Sequence, residues 1–302
     1  MMEVITKLQP SPKLLLFESL SRRMHLSNKD KLTYLNLKKG YEGELLFSKL
    51  TENITGEGLI LNDLLFEYNQ TAFQIDCLII NQAKIFLYEV KNFEGDFYLE
   101  NEKLFKKPRQ EILNPLHQLS RAESLLRQVL LSLGYNTPID ASVIFVNPAF
   151  TLYQAPLDIP VIFPNQIHRH LEFVSNQSTS ITSNMRRLAA KLLDLRKTEY
   201  PFDKPHYAYE ELKKGIVCPT CGRGAVNSVK RSCICESCGH KESPTNAVLR
   251  SVKEFRLLFP ERRVTTGEIY DWCGGVFSKR TVHRILSKHF KAVGVNRWTY
   301  FE

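Results

Sequence analysis

Two cysteine pairs constrain this chain more tightly than anything else in it. Cys218-Pro-Thr-Cys221 and Cys235-Glu-Ser-Cys238 are CxxC knuckles with 13 residues between them. In a reducing compartment such clustered thiols read as metal ligands before disulfides. Each knuckle brings two thiolates to one ion, and two knuckles complete the tetrahedral four-sulfur shell of a structural Zn²⁺ site. Gly222 and Gly239 follow the second cysteine of each pair, where backbone freedom suits a tight turn. Cys233 is a fifth cysteine, but the order CICESC makes Cys235 with Cys238 the better knuckle. Residues 215–242 are therefore expected to form a zinc ribbon, with Lys230 and Arg231 at its hairpin tip and Arg223 nearby, placed to touch phosphates.

Charge separates the two ends of the 302-residue chain. Residues 1–203 hold 23 Lys/Arg and 23 Asp/Glu, whereas residues 204–302 hold 18 and 9, so the whole +9 lies in the last third. A basic segment joined to a neutral one points to a polyanionic partner for that end. Four thiolates around one Zn²⁺ carry about −2 by charge count, which trims the surplus. No apolar run approaches the roughly 18 residues of a membrane span. The N-terminus lacks the features of a secretory signal. The expectation is a cytoplasmic protein with no membrane partner.

Along the first two thirds, residues 12–37 have helical apolar spacing, Gly40 reads as punctuation, and Tyr41 reads as the start of a further helix. Three β-type runs follow, LLFEYN, FQIDCLIIN and KIFLYEVKN, separated by the turn signals Asn69-Gln70-Thr71 and Asn81-Gln82. They predict an antiparallel meander, with one more short strand between Leu99 and Phe105. Pro115 opens an amphipathic helix that ends at Gly134. ASVIFVN and PVIF read as strands and 166–197 as mostly helical. Strand-type and helix-type runs together imply an α/β class. The expected parts are an N-terminal helical extension (1–37), this α/β domain (38–200), a linker (201–214), the ribbon (215–242) and a small helical module (245–302).

Three ionisable residues interrupt the apolar strands. Asp76 lies on the second, and Glu89 and Lys91 lie on the third, where residues two apart share a face about 6.5–7 Å apart. Such groups are costly in a sheet unless paired or metal-bound. Two carboxylates on neighbouring strands suit a hard cation such as Mg²⁺ or Mn²⁺, and a lysine beside them suits developing negative charge. A structural ion pair between Lys91 and Asp76 or Glu89 is the competing reading. Cys77, alternating away from Asp76, reads as a core thiol, and His117 as a surface or packing residue.

The wording around these residues is more specific. KGYEGE with Glu44, QIDCLII with Asp76, LYEVKNFEGDF with Glu89, Lys91 and Gly95, and NPLHQL with Gln118 stand in order across about residues 38–150. They resemble the PD-(D/E)xK nuclease superfamily, and in detail its NERD (nuclease-related) branch; Ile75 stands where the superfamily name promises a proline. The resemblance implies an α/β core of a mixed sheet flanked by helices, with Glu44, Asp76 and Glu89 as metal-site acids, Lys91 as the catalytic lysine and Gln118 as a shaper of the site. It implies a metal-dependent hydrolase of DNA, with RNA admitted by the shared phosphate chemistry. The alternative is a DNA-binding regulator or repair accessory whose nuclease fold is silent.

At the C-terminus, VTTGEIYDWCGGVFSKRTVHRILSKHF reads as helix, turn, helix. Thr266 is expected to cap the first helix, which carries Ile269 and Trp272 on one face. Gly274-Gly275 makes the turn and Ser278 caps the second helix. Val282, Ile285, Leu286 and Phe290 face inward, and Lys279, Arg280, His283, Arg284 and Lys288 crowd the other side, a pattern suited to a major groove. GVNRWTYFE reads as a terminal strand or wing. A helix-turn-helix or winged-helix DNA-binding module is the expectation; a small protein-binding domain is its competitor.

Overall fold

The computed structural model describes residues 2–177, 180–197, 202–224, 226–229, 232–295 and 298–302. The chain forms two compact units. Residues 1–10 and 36–201 make the first; residues 11–35 and 202–302 make the second. The expected hairpin-tip residues Lys230 and Arg231 lie outside the described residues.

The first unit is built on a mixed six-stranded sheet. The strands are β1 (Glu3–Thr6), β2 (Leu59–Tyr68), β3 (Thr71–Ile80), β4 (Ile85–Lys91), β8 (Ile139–Phe145) and β10 (Val161–Ile162), ordered β1-β2-β3-β4-β8-β10. β2, β3 and β4 are the antiparallel meander that the sequence predicts. β1 with β2, and β4 with β8 and β8 with β10, are parallel. The β2–β3 turn places Asn69 and Gln70 at φ +47° and +59°, the left-handed pair that a two-residue hairpin needs to match the twist of its strands.

A second sheet has four strands: β5 (Gly95–Glu100), β6 (Lys103–Lys106), β7 (Gln110–Ile112) and β9 (Phe150–Tyr153), ordered β7-β6-β5-β9. Leu99 to Phe105 is thus not one strand. Asn101 and Glu102, at φ +50° and +63°, fold it into a second tight hairpin.

Helices cover both faces of the six-stranded sheet. α3 (Pro115–Ser132) and α5 (Ser183–Leu195) bury Leu119, Leu126, Val129, Leu188 and Leu192 on one face. α2 (Asn28–Glu52) and α4 (Ile167–Asn176) contribute Phe47, Ile167, Leu171 and Val174 to the other. α3 starts as the sequence predicts: the Asn114 side chain accepts from Leu116 N at 3.0 Å, Pro115 follows, and Gly134 leaves the helix at φ +81°.

Residues 1–37 are not a single helical extension. β1 adds to the sheet, α1 (Pro12–Arg23) belongs to the second unit, and α2 runs from Asn28 through Gly40 to Glu52. Gly40 is exposed inside that helix. An interior glycine costs only about 1 kcal/mol against alanine, which a 25-residue helix absorbs.

The second unit combines α1 with a three-stranded ribbon and three helices. The ribbon strands are β11 (Val226–Val229), β12 (Ser232–Cys235) and β13 (Lys241–Glu242), all antiparallel. The helices are α6 (Pro244–Leu258), α7 (Thr266–Trp272) and α8 (Lys279–His289), and β14 (Ala292–Val293) pairs with β15 (Tyr300–Phe301) at the end. Thr265, not Thr266, caps α7, because its hydroxyl accepts from Glu268 N at 3.1 Å. Gly274 and Gly275 make the α7–α8 turn at φ +64° and +68°.

Arg23 ties α1 into this unit. It is 1% exposed, forms ion-pair hydrogen bonds of 2.9 and 2.5 Å to Glu254, and donates to the carbonyls of Lys213 and Gly215 at 2.7 and 3.2 Å. Its guanidinium lies 3.9 Å from the centroid of the fully buried Trp272 ring.

Candidate functional site

The acids gather where the meander breaks phase. Along β2, Leu59 and Leu61 face the α3 side, and so do Leu64 and Phe66; along β3, Phe73 and Ile75 do, and so do Leu78 and Ile80. Side chains alternate strictly along a regular strand, so both strands slip by one residue, between 61 and 64 and between 75 and 78. Pairing holds on either side, Asn62 with Cys77 and Leu64 with Ile75, which sets Asp63 opposite Asp76 at the break. Asp63 takes φ +52°, a left-handed conformation that Asp tolerates better than most residues. β3 also parts from β4 here: their last bridge is Cys77 with Tyr88. Beyond it the Asp76 carboxylate accepts the Val90 N–H at 2.8 Å, where a strand carbonyl would otherwise do so.

β4 carries the next two groups. Glu89 is 7% exposed and Lys91 is half-buried, with Lys91 Nζ 2.6 Å from Glu89 Oε1. α2 brings Glu44. It approaches closely because Gly43 has no side chain: a Cβ there would sit 2.6 Å from Asn92 Cβ. Asn92 then pins the helix, donating to the Lys39 carbonyl at 2.9 Å and accepting from Asn147 at 3.1 Å. Asn92 thereby holds α2 against the end of β4.

The electrostatics show that the acids share one space. Burial, then the charges of Asp63 and Glu89, push Glu44 up to about 7 against the pull of Lys91. Burial, then Glu89 and Glu44, hold Asp76 well above the usual carboxylate range, although Lys91 and the Val90 N–H draw it down. Charges too close to ionise together raise one another. Glu44, Asp76, Glu89 and Lys91 are thus brought together. Gln118 is exposed on α3, and no contact among the described residues ties it to them. Asp63 is the residue that sequence reasoning missed. Its signal was available: like Asp76, it interrupts an apolar run, LILNDLLF. It also accepts from Gln74 at 2.9 Å and pairs with Arg196 at 3.6 Å.

In the ribbon, ligand atoms of Cys218, Cys221, Cys235 and Cys238 all lie within 4.8 Å of one another. Two of the Sγ–Sγ distances are 3.7 and 3.6 Å, close to the edge of about 3.8 Å that a tetrahedron with Zn–S bonds of about 2.3 Å requires. The two knuckles repeat one another. Gly222 N donates to the Cys218 carbonyl at 3.0 Å and Gly239 N to that of Cys235 at 2.8 Å, with φ +71° and +72°. Burial opposes ionisation of Cys235, but the backbone N–H groups of Cys238 and Ser237 outweigh it and bring the thiol to about 7. Cys218 is lowered in the same way, by Cys221 and Thr220. Cys233 stands apart: it is buried opposite Ser228, and burial with the nearby Glu242 charge pushes it up to about 11. The four-cysteine cluster fits a structural metal such as zinc. Purified protein should carry about one zinc per chain. Cys218→Ser should lose it and unfold the ribbon while the first unit stays folded. Elemental analysis together with a two-probe melt checks this, and zinc-free protein from a chelator-free preparation contradicts it.

On α8, Val282, Ile285 and Leu286 are buried, and Lys279, Arg280, His283, Arg284 and Lys288 are exposed. Phe290, read as inward-facing, is only half-buried, at the helix C-cap. Two of the five basic positions have local contacts. His283 bonds Thr266 and Ser287 at 3.2 and 3.4 Å, and Lys279 lies 5.2 Å from the Tyr270 ring. Among the described residues, Arg280, Arg284 and Lys288 have no acidic partner within ion-pair range. No helix of the described residues is long and apolar enough to cross a membrane.

No curated protein and no solved structure matches the chain. A protein family does: residues 39–146, from within α2 to just beyond β8, match the model of the nuclease-related domain, NERD, and the matched segment carries Glu44, Asp76, Glu89 and Lys91.

Proposed function

We propose that the chain hydrolyses phosphodiester bonds of DNA at the Glu44, Asp76, Glu89 and Lys91 cluster, with a divalent cation as cofactor. The observation that carries this is the crowding of carboxylates at one break in the sheet, which leaves Glu44 and Asp76 short of positive charge despite Lys91. A structural ion pair accounts for Lys91 with Glu89 but leaves two further acids at the same place unexplained. Oxygen donors of this kind suit Mg²⁺ or Mn²⁺, which Asp76 and Glu89 would hold with Glu44 at the margin. Such a cation supplies polarisation of a phosphoryl oxygen and a more acidic bound water. Lys91 shifts from Glu89 to the phosphate, where its charge meets the negative charge that develops as the bond breaks. The role implied for Gln118 has no such support in its position.

The second unit targets this activity. α7, the glycine turn and α8 form a helix-turn-helix with β14–β15 as a wing, and Arg280, Arg284 and Lys288 face the DNA backbone and groove. Incubating the full chain with single- and double-stranded DNA and Mg²⁺ or Mn²⁺ tests the chemistry. Binding across a salt series tests the targeting: affinity should fall steeply with salt, and Arg280→Ala with Arg284→Ala should flatten the slope by about 2. DNA binding without cleavage under any cation would instead identify the silent accessory protein.

A further inference from the structure

The second sheet of the nuclease-related unit has two unlike faces. On one, Phe97, Leu99, Leu104, Ile112 and Leu152 pack on the core. On the other, Tyr98 and Phe105 are register partners whose rings stack at 5.2 Å and 15°. Tyr153 is the partner of Tyr98 on β9. Its hydroxyl donates to Asp96 at 3.3 Å, and Asp96 is two positions from Tyr98 on β5, so Tyr153 shares that face. None of the three belongs to the core; Tyr98 and Phe105 are half-buried and Tyr153 is 43% exposed. Three aromatic rings on three adjacent strands therefore stand on the solvent side, where sheets ordinarily present polar residues.

The border of this row is cationic. Residues 103–109 hold no acid, and Lys103, Lys107 and Arg109 follow the row, while Lys106, the register partner of Phe97, belongs to the opposite face. Lys107 Nζ lies 3.9 Å from the Tyr153 centroid. Two acids of the face are already engaged, Asp96 by Tyr153 and Glu111 by Lys103 at 3.1 Å; Glu100 is exposed. Among the described residues, neither Lys107 nor Arg109 has an acidic partner within ion-pair range. Only residues 92–94 separate Lys91 from the start of β5.

We propose that this face binds a single strand of DNA, its bases stacking on Tyr98, Phe105 and Tyr153 and its phosphates meeting Lys107 and Arg109. Unpaired bases offer their faces to such a platform, whereas those of a duplex are stacked on one another. The choice of DNA rests on the hydrolase reading; the stacking does not. Because Asp96, Glu100 and Glu111 offset much of the positive charge, stacking supplies more of the affinity than counterion release does, and the salt dependence is shallow.

The test uses the full chain carrying Arg280→Ala and Arg284→Ala, so that α8 contributes little, in chelator so that nothing is cleaved. Anisotropy of labelled oligothymidylate, oligouridylate and a duplex of equal length is read across a salt series. The expected result is tightest binding of oligothymidylate. Tyr98→Leu with Phe105→Leu weakens it about 10-fold or more, and Lys107→Glu on the outer surface weakens it with no change in the melt. Unchanged binding in both variants, or a duplex bound as tightly as the strand, overturns the platform. Oligouridylate bound more tightly overturns the choice of DNA. Since binding is read without turnover, a chain that binds the strand but never cleaves it counts against the hydrolase reading and leaves the platform standing.

Discussion

Replacing Asp76 by Asn should lower DNA cleavage by on the order of 10³-fold while making the metal-free protein less sensitive to pH. Asn is the informative substitution because its side-chain oxygen can still accept the Val90 N–H that Asp76 accepts at 2.8 Å. Alanine would orphan that N–H at a cost of about 1–3 kcal/mol and confuse the result. Glu44, raised from 4.5 to about 7, and Asp76, raised well above 3.8, both bind protons more tightly in the folded chain than in the unfolded one. Stability in chelator should therefore be highest at acid pH and decline as pH rises from about 4.5 through about 7, where Glu44 gives up its proton. In Asp76→Asn one charge of the cluster is gone, so the decline should be smaller and the Tm at pH 8 at least that of the parent. Divalent cation should restore the parent's Tm most strongly at the alkaline end, because binding must displace those protons. Melts at pH 5 and pH 8, with and without Mn²⁺, decide the matter. A marked loss of Tm in Asp76→Asn at pH 8 in chelator would mean that the carboxylate serves a structural pair.

The second large effect is expected from Arg23→Ala. It strands Glu254, which is 13% exposed, and opens a space over the Trp272 ring; removing one partner of such a pair costs about 3–5 kcal/mol. Both tryptophans of the chain, Trp272 and Trp298, lie in the second unit. Tryptophan emission in urea therefore follows that unit alone, and its midpoint should fall while far-ultraviolet signal from the first unit persists. Replacing both partners, Arg23→Met with Glu254→Leu, should recover most of the loss, since two apolar groups leave no unpaired charge. A fragment of residues 202–302 lacks α1 altogether and should share the defect of Arg23→Ala. For that reason the DNA-binding tests above use the full chain.

How much of this was legible beforehand differs from place to place. Asp76, Glu89 and Lys91 stood out because each breaks an apolar run, and burying a charge is expensive wherever it occurs. The knuckles stood out because four thiolates at that spacing have few other uses. Asp63 carried the same signal as Asp76, but its place beside the cluster depends on a break in facing, shared by β2 and β3, that a strict two-residue alternation does not predict. Residues 12–37 read only as helical spacing; that Arg23 would be buried against Glu254, 231 residues away, is a property of the fold and not of any window. The hairpin at Asn101-Glu102 was missed because Glu102 is a poor advertisement for a left-handed turn. Gly40 misled in the opposite way, since a single glycine is tolerated in a long helix.

The bond between α1 and the far end of the chain also sets a timetable. At about 5–20 residues per second of synthesis, the 231 residues between Arg23 and Glu254 correspond to on the order of ten seconds or more. Through that interval α6, against which α1 packs, is not yet made, and Leu16, Phe17 and Leu20, buried in the finished protein, lack that cover. Strands β2 to β4 meanwhile emerge in sequence and can pair as they appear. The strands β2 to β4 are thus made well before the cysteine ribbon and α6, and in the interval α1 presents an uncovered apolar face of the kind that chaperones hold.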